Sequence, residues 1–195
     1  MTMPDQEAAP TAAERRAARR ANQTTFNLVL ALLASLGVVL LLVMVVVRPE
    51  MEPRTVDYAA VGADAATAVE EPLVVPDLPA EWTANRAELV RDPADGVTRW
   101  EIGFLTPEGA YIGLVQGIDA NPSWVAAEVR SARAEGVETI GGLTWDRYDR
   151  RHLDKPGNVE FALVTTSGAS TIVLAGTAAE AEFAVLAAAI AKGLS

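Results

Sequence analysis

Residues 98–116 read TRWEIGFLTPEGAYIGLVQ, a stretch that folds back on itself. Trp100, Ile102 and Phe104 alternate with Glu101 and Gly103, the period of a strand with one buried face. Thr106, Pro107, Glu108 and Gly109 form a hairpin turn, because proline presets φ and glycine accepts a positive one. Tyr111 to Gln116 is then the returning strand. Upstream, Trp82 to Val90 is followed by Asp92, Pro93, Asp95 and Gly96, a turn signal that adds a third strand to the meander.

Downstream the same logic continues. Asn121 and Pro122 open a helix as cap and first-turn proline, with Val125, Val129 and Ala132 on one apolar face and Gly136 as the expected stop. Val137 to Ile140 and Leu143 to Arg150 flank Gly141 and Gly142, a two-residue loop whose positive φ values only glycine takes without strain. Lys155 to Asn158 turns the chain into Val159 to Thr165, and Thr166 to Ala169 turns it into Ser170 to Ala175. Thr177 and Glu180 make a capping box for a last helix whose Phe183, Leu186, Ala187, Ile190 and Leu194 share one stripe. Hairpins rather than crossovers predict an α+β domain: a mainly antiparallel sheet of seven strands with both helices packed on one face.

Outside this region, Phe26 to Val47 contains no charged residue, and only Asn27 and Ser35 are polar. As a helix, these 22 residues span about 33 Å, close to the hydrocarbon thickness of a bilayer. The stretch is too long for the apolar core of a signal peptide, and no small-x-small cleavage site follows at Val45 to Met51. The chain then divides into a basic tail (1–25), a transmembrane helix (26–47), a proline-rich linker (48–79) and an α+β domain (80–195). Five prolines, Pro49, Pro53, Pro72, Pro76 and Pro79, mark the linker as a stiff spacer, although Thr55 to Val69 admits a short helix. Ala31, Ser35 and Gly37 form a small-residue pattern that would let two spans approach.

Charge orients the chain. Arg15, Arg16, Arg19 and Arg20 precede the span, while Arg48 and Arg54 follow it, which places the amino terminus in the cytoplasm and the large domain outside. From Pro49 onward, 11 Lys plus Arg face 23 Asp plus Glu. Such an acidic segment is repelled by nucleic-acid backbones. With no cysteine, the domain has no disulfide framework and no thiolate chemistry.

Catalytic patterns are sought without success. His152 is the single histidine and has no partner donors for zinc. Ser167 and Ser170 flank a turn glycine rather than a nucleophile elbow, and the hairpin accounts for Gly141 and Gly142 without a phosphate loop. Glu101, Asp146 and Asp149 are the carboxylates that an acid-base hydrolase would bring together. Trp82, Trp100, Trp124 and Trp145 offer an aromatic platform, but their positions suit the core better. The sequence therefore assigns no catalytic, cofactor-binding or metal-binding residue.

Several stretches together carry a family resemblance: VPDLPAEW (75–82), WEIGFLTPEGAYIGLVQ (100–116), IGGLTWDRY (140–148), ALVTTSG (162–168) and VLAGTAAEAEFAVLAAAI (173–190). With the arginine tail and the span, they resemble the actinobacterial single-pass membrane family known as domain of unknown function 4245. The resemblance implies a short cytoplasmic tail, one span and an exported domain, and brings no activity or site residue with it. The closing strand, Gly176, Thr177 and last helix also look like the ends of sensor domains in some anti-sigma factors. The expectation is a non-enzymatic, membrane-tethered binding or assembly module of the cell envelope. The alternatives are a carboxylate-dependent envelope hydrolase and a sensor-like or structural subunit of a membrane complex.

Overall fold

A computed structural model describes residues 26–41, 55–91 and 93–194 of the chain. The chain divides into two units, Met1–Met51 and Glu52–Ser195. In the first, residues 26–41 form a helix, α1, with large apolar side chains exposed on every side. Ser35 satisfies its hydroxyl by donating to the Leu32 carbonyl. No helix among the described residues is long and apolar enough to cross a membrane. Residues 42–47 of the expected span, and the tail 1–25, lie outside the described residues.

The second unit is built on one antiparallel sheet of seven strands, as the hairpin pattern predicts. In chain order these are β1 (Thr83–Val90), β2 (Arg99–Leu105), β3 (Tyr111–Ile118), β4 (Gly136–Ile140), β5 (Leu143–Asp149), β6 (Phe161–Ser167) and β7 (Ser170–Gly176). Their spatial order is β1-β2-β3-β7-β6-β5-β4. Two meanders thus meet where β3 pairs with β7, with Leu114 opposite Leu174. The Gly141–Gly142 turn has φ of 62° and 88°, as the β4–β5 hairpin requires.

The helices do not share a face, which corrects the expectation. Along β6 and β7 every position from Phe161 to Val164 and from Ile172 to Val173 is buried, so the alternation fills both sides of the sheet. On the first side, Phe161, Leu163, Ile172 and Leu174 join Trp100, Ile102, Phe104, Ile112 and Leu114 beneath α4 (Glu180–Leu194), whose Phe183, Leu186, Ala187 and Ile190 are fully buried. On the second, Ala162, Val164 and Val173 pack with Trp124 of α3 (Pro122–Glu128).

Both helix ends also differ from the sequence reading. Helix α3 stops at Glu128, because Arg130 and Ser131 take positive φ of 54° and 56°; Gly136 instead begins β4. Helix α4 begins at Glu180 without a Thr177 cap. Glu182 accepts from the Ala179 N–H, while Thr177 Oγ1 accepts from the Tyr111 N–H at the start of β3.

The largest correction concerns the linker. Residues 57–79 are laid on the first face of the sheet rather than standing off as a spacer. Asp57 caps α2 (Tyr58–Ala65) by accepting from the Ala60 N–H at 3.0 Å. The helix lies close to Trp100 because Gly62 has no Cβ; one placed there would meet the Val75 side chain at 2.7 Å and the indole at 3.4 Å. Beyond it, an extended strap is clipped down by two buried side chains. Gln116 accepts from the Val74 N–H at 2.7 Å and donates to the Pro72 carbonyl at 2.8 Å and to Ser170 Oγ at 2.7 Å. The Trp100 indole donates to the Val74 carbonyl at 2.9 Å. Prolines suit this arrangement, since a strap held by its carbonyls loses nothing when an N–H is missing.

Replacing Gln116 with Leu would leave the buried Val74 N–H without its acceptor, at a cost of about 1–3 kcal/mol. The Q116L chain should unfold at lower temperature and be cut by protease within 66–79 before the sheet is attacked. A strap as resistant as in the wild type would contradict this account.

Candidate functional site

The two faces are sealed to different degrees. The strap, α2 and α4 cover the first, whereas the second is covered by a helix of only seven residues. Asn121 sets its direction by accepting from the Trp124 N–H at 2.9 Å, with Pro122 at the first helical position. The anchor is Trp124, 4% exposed, whose ring stands directly on Gly117 of β3. A Cβ at Gly117 would come within 2.7 Å of that ring. The contact is one of shape alone, because the Trp124 indole N–H finds no acceptor among the described residues.

Beyond α3, the second face stays open. A shallow groove of about 480 Å³ runs between the helix and β5. Val164, Thr166 and Thr171 form its floor, Val125 of α3 stands on one side, and Asp146 and Tyr148 of β5 on the other. Burial, followed by the nearby Asp146 carboxylate, pushes the Tyr148 phenol up and keeps it protonated as a hydrogen-bond donor. Apolar walls with a few hydroxyls and one acid are the make-up of a binding surface.

The three candidate carboxylates are not brought together. On β2, Glu101 is engaged by Arg99 at 2.6 Å and Arg86 at 2.8 Å. Asp146 and Asp149 are three residues apart on one strand and therefore point to opposite faces. Asp149 lies in an ion cluster with Arg147, Arg151 and Glu180, whose two guanidiniums also stand over the Phe161 ring, each 5.1 Å from its centroid. Hydrogen bonding from Arg151 holds the Asp149 carboxyl well below the usual carboxylate range, and lowers Glu180 in the same way. Dispersed in this way, the three carboxylates do not form the acid-base pair that the hydrolase alternative requires.

The remaining sequence candidates also find structural places. Trp82, Trp100, Trp124 and Trp145 are all buried, as their core reading expects. Ser170 is buried too and links Gln116 to Glu71. His152 is exposed on the β5–β6 loop. No group of three or more potential metal ligands occurs among the described residues. One acid that the sequence reading missed is Glu128, at the end of α3: burial raises it, partly opposed by Arg99. The signal was faint, since α3 was expected to run on to Gly136.

This is an α+β protein whose single antiparallel sheet is strapped shut on one face and left grooved on the other. The chain belongs to the family described as "Protein of unknown function (DUF4245)", which matches residues 20–190. Among curated proteins and among solved structures nothing matches.

The ion cluster gives stability a defined pH dependence. Asp149 and Glu180 have depressed folded values, so their contribution is fully present above the unfolded carboxylate pKa and is lost as pH falls through the folded values. Replacing Arg151 with Ala should lower stability at neutral pH by about 1 kcal/mol, a figure limited by solvent screening. The variant should also lose less stability than the wild type between about pH 5 and about pH 3. Thermal unfolding across that range measures both, and parallel curves would refute the assignment.

Proposed function

We propose that this protein is a membrane-tethered, non-enzymatic binding module of the cell envelope. Residues 26–47 are its tether, residues 1–25 face the cytoplasm, and the sheet domain lies outside. Supporting the tether are its uncharged 22-residue length and the exposure of its apolar side chains all round the described helical part. The arginines ahead of the span support the orientation.

The observation that carries the binding role is the groove on the second face. It offers a surface large enough for a ligand, next to a helix pinned by a single tryptophan. Asp146 on its rim and the acidic segment around it favour a neutral or cationic occupant, such as a short peptide stretch of another envelope protein.

A photoreactive amino acid at Thr166, on the groove floor, tests this in intact cells, with the exposed Asp64 on α2 as the control position. A discrete adduct is expected from position 166 alone, and adding Val125→Arg should abolish it. No adduct at 166, or the same adduct at both positions, would overturn the reading.

A further inference from the structure

The sharp end of α3 builds a second concavity, which meets the groove at Ala132. Positive φ at Arg130 and Ser131 turns the chain back, and the Ser131 N–H donates to the Ala126 carbonyl at 2.6 Å. The loop that follows faces the start of the β5–β6 connection across a cavity of about 340 Å³. Arg130 and Arg133 line one side, and Arg150 and His152 the other, with Leu153 adding an apolar edge. That volume is near the lower end of the range for small-ligand sites, about 300 Å³.

Its charge runs against the rest of the domain. Arg86, Arg99, Arg147 and Arg151 are all taken up in ion pairs. Among the described residues, Arg130, Arg133 and Arg150 form no ion pair with a carboxylate, yet this cavity gathers all three. Arg150 is held in place, since its Nη1 donates to the Pro156 and Val159 carbonyls at 2.7 Å each, which leaves its positive charge uncancelled. The two acids on the cavity are already engaged elsewhere. Asp149 is bound by Arg151 and Arg147, and Glu135 lies 3.8 Å from Arg147.

We propose that this cavity is an anion site that takes a phosphoryl group, carried by a small ligand or by a lipid headgroup. Three guanidiniums and an imidazole offer more donors than the two oxygens of a carboxylate can use, whereas a phosphoryl group presents three acceptor oxygens. Guanidinium suits this role because it stays charged at any physiological pH and forks onto oxyanions. Leu153 would lie against the carbon skeleton of the ligand. The site shares Ala132 with the groove but none of the groove's polar residues.

The test uses the full chain in lipid nanodiscs, followed by thermal unfolding. One arm adds inorganic phosphate or glycerol 3-phosphate to phosphatidylcholine discs, with sodium chloride matching ionic strength. The other compares discs containing phosphatidic acid, whose headgroup is a phosphomonoester, with phosphatidylcholine discs. A saturable upward shift in the first arm identifies a soluble phosphorylated ligand, and one confined to the second identifies a headgroup. In either case Arg130→Ala with Arg133→Ala should weaken binding by about tenfold or more. Arg91→Ala, which removes an arginine outside the cavity, should leave it unchanged. No shift in either arm, or equal loss in R91A and R130A/R133A, would overturn the proposal.

Discussion

Two neighbouring strands at the heart of the sheet, β6 and β7, carry Phe-Ala-Leu-Val and Ile-Val-Leu, so they cannot leave either side in water. Buried apolar area contributes about 25 cal/mol per Å², and leaving such a run exposed would forfeit several side chains' worth of it. The fold answers with unequal covers. On the first side, α4, α2 and the strap bury the larger cluster. On the second, Trp124 covers Gly117 and the centre of the sheet, and the short helix carrying it leaves the flank toward β5 unsealed. The groove is therefore a consequence of two-sided strands served by a one-tryptophan cover.

That constraint also explains which parts of the fold were legible. All seven strands could be read from alternation and turn residues, because hairpins are local and their chemistry sits within a few residues of the bend. The side that each helix covers is a long-range property. It depends on Ala162 and Val164 facing away from Phe161 and Leu163, a two-sidedness that a short apolar run in a sequence does not distinguish from one buried face. The end of α3 was missed for a similar reason: Arg130 and Ser131 hold positive φ although neither is the glycine or asparagine that normally signals it.

Prolines gave the most misleading signal. Pro72 and Pro76 mark a chain that forms no regular ladder, and a spacer and a strap look alike on that criterion. What separates them is Gln116, a polar residue at an inward position of β3, which would be an expense in an apolar core unless something brought it an N–H and a carbonyl. A buried glutamine in a strand is thus the trace that a strap leaves in the sequence. Of the candidate sites, the carboxylates and His152 were visible as residue types, whereas the groove depends on which side α3 covers and the arginine cavity on the path of the loop after it.

In this structure, residues 57–79 are part of the first face, and the second keeps an open groove. The claim that this grooved face is presented outside the cell is open to one direct measurement, helped by the absence of native cysteine. Single cysteines at Thr166, exposed on the second face, and at Ala187, buried under α4, would be treated in intact cells with a membrane-impermeant maleimide. The account predicts labelling at 166 and none at 187. If position 166 reacted only after the cells were broken, or if both positions reacted alike, the account would be contradicted.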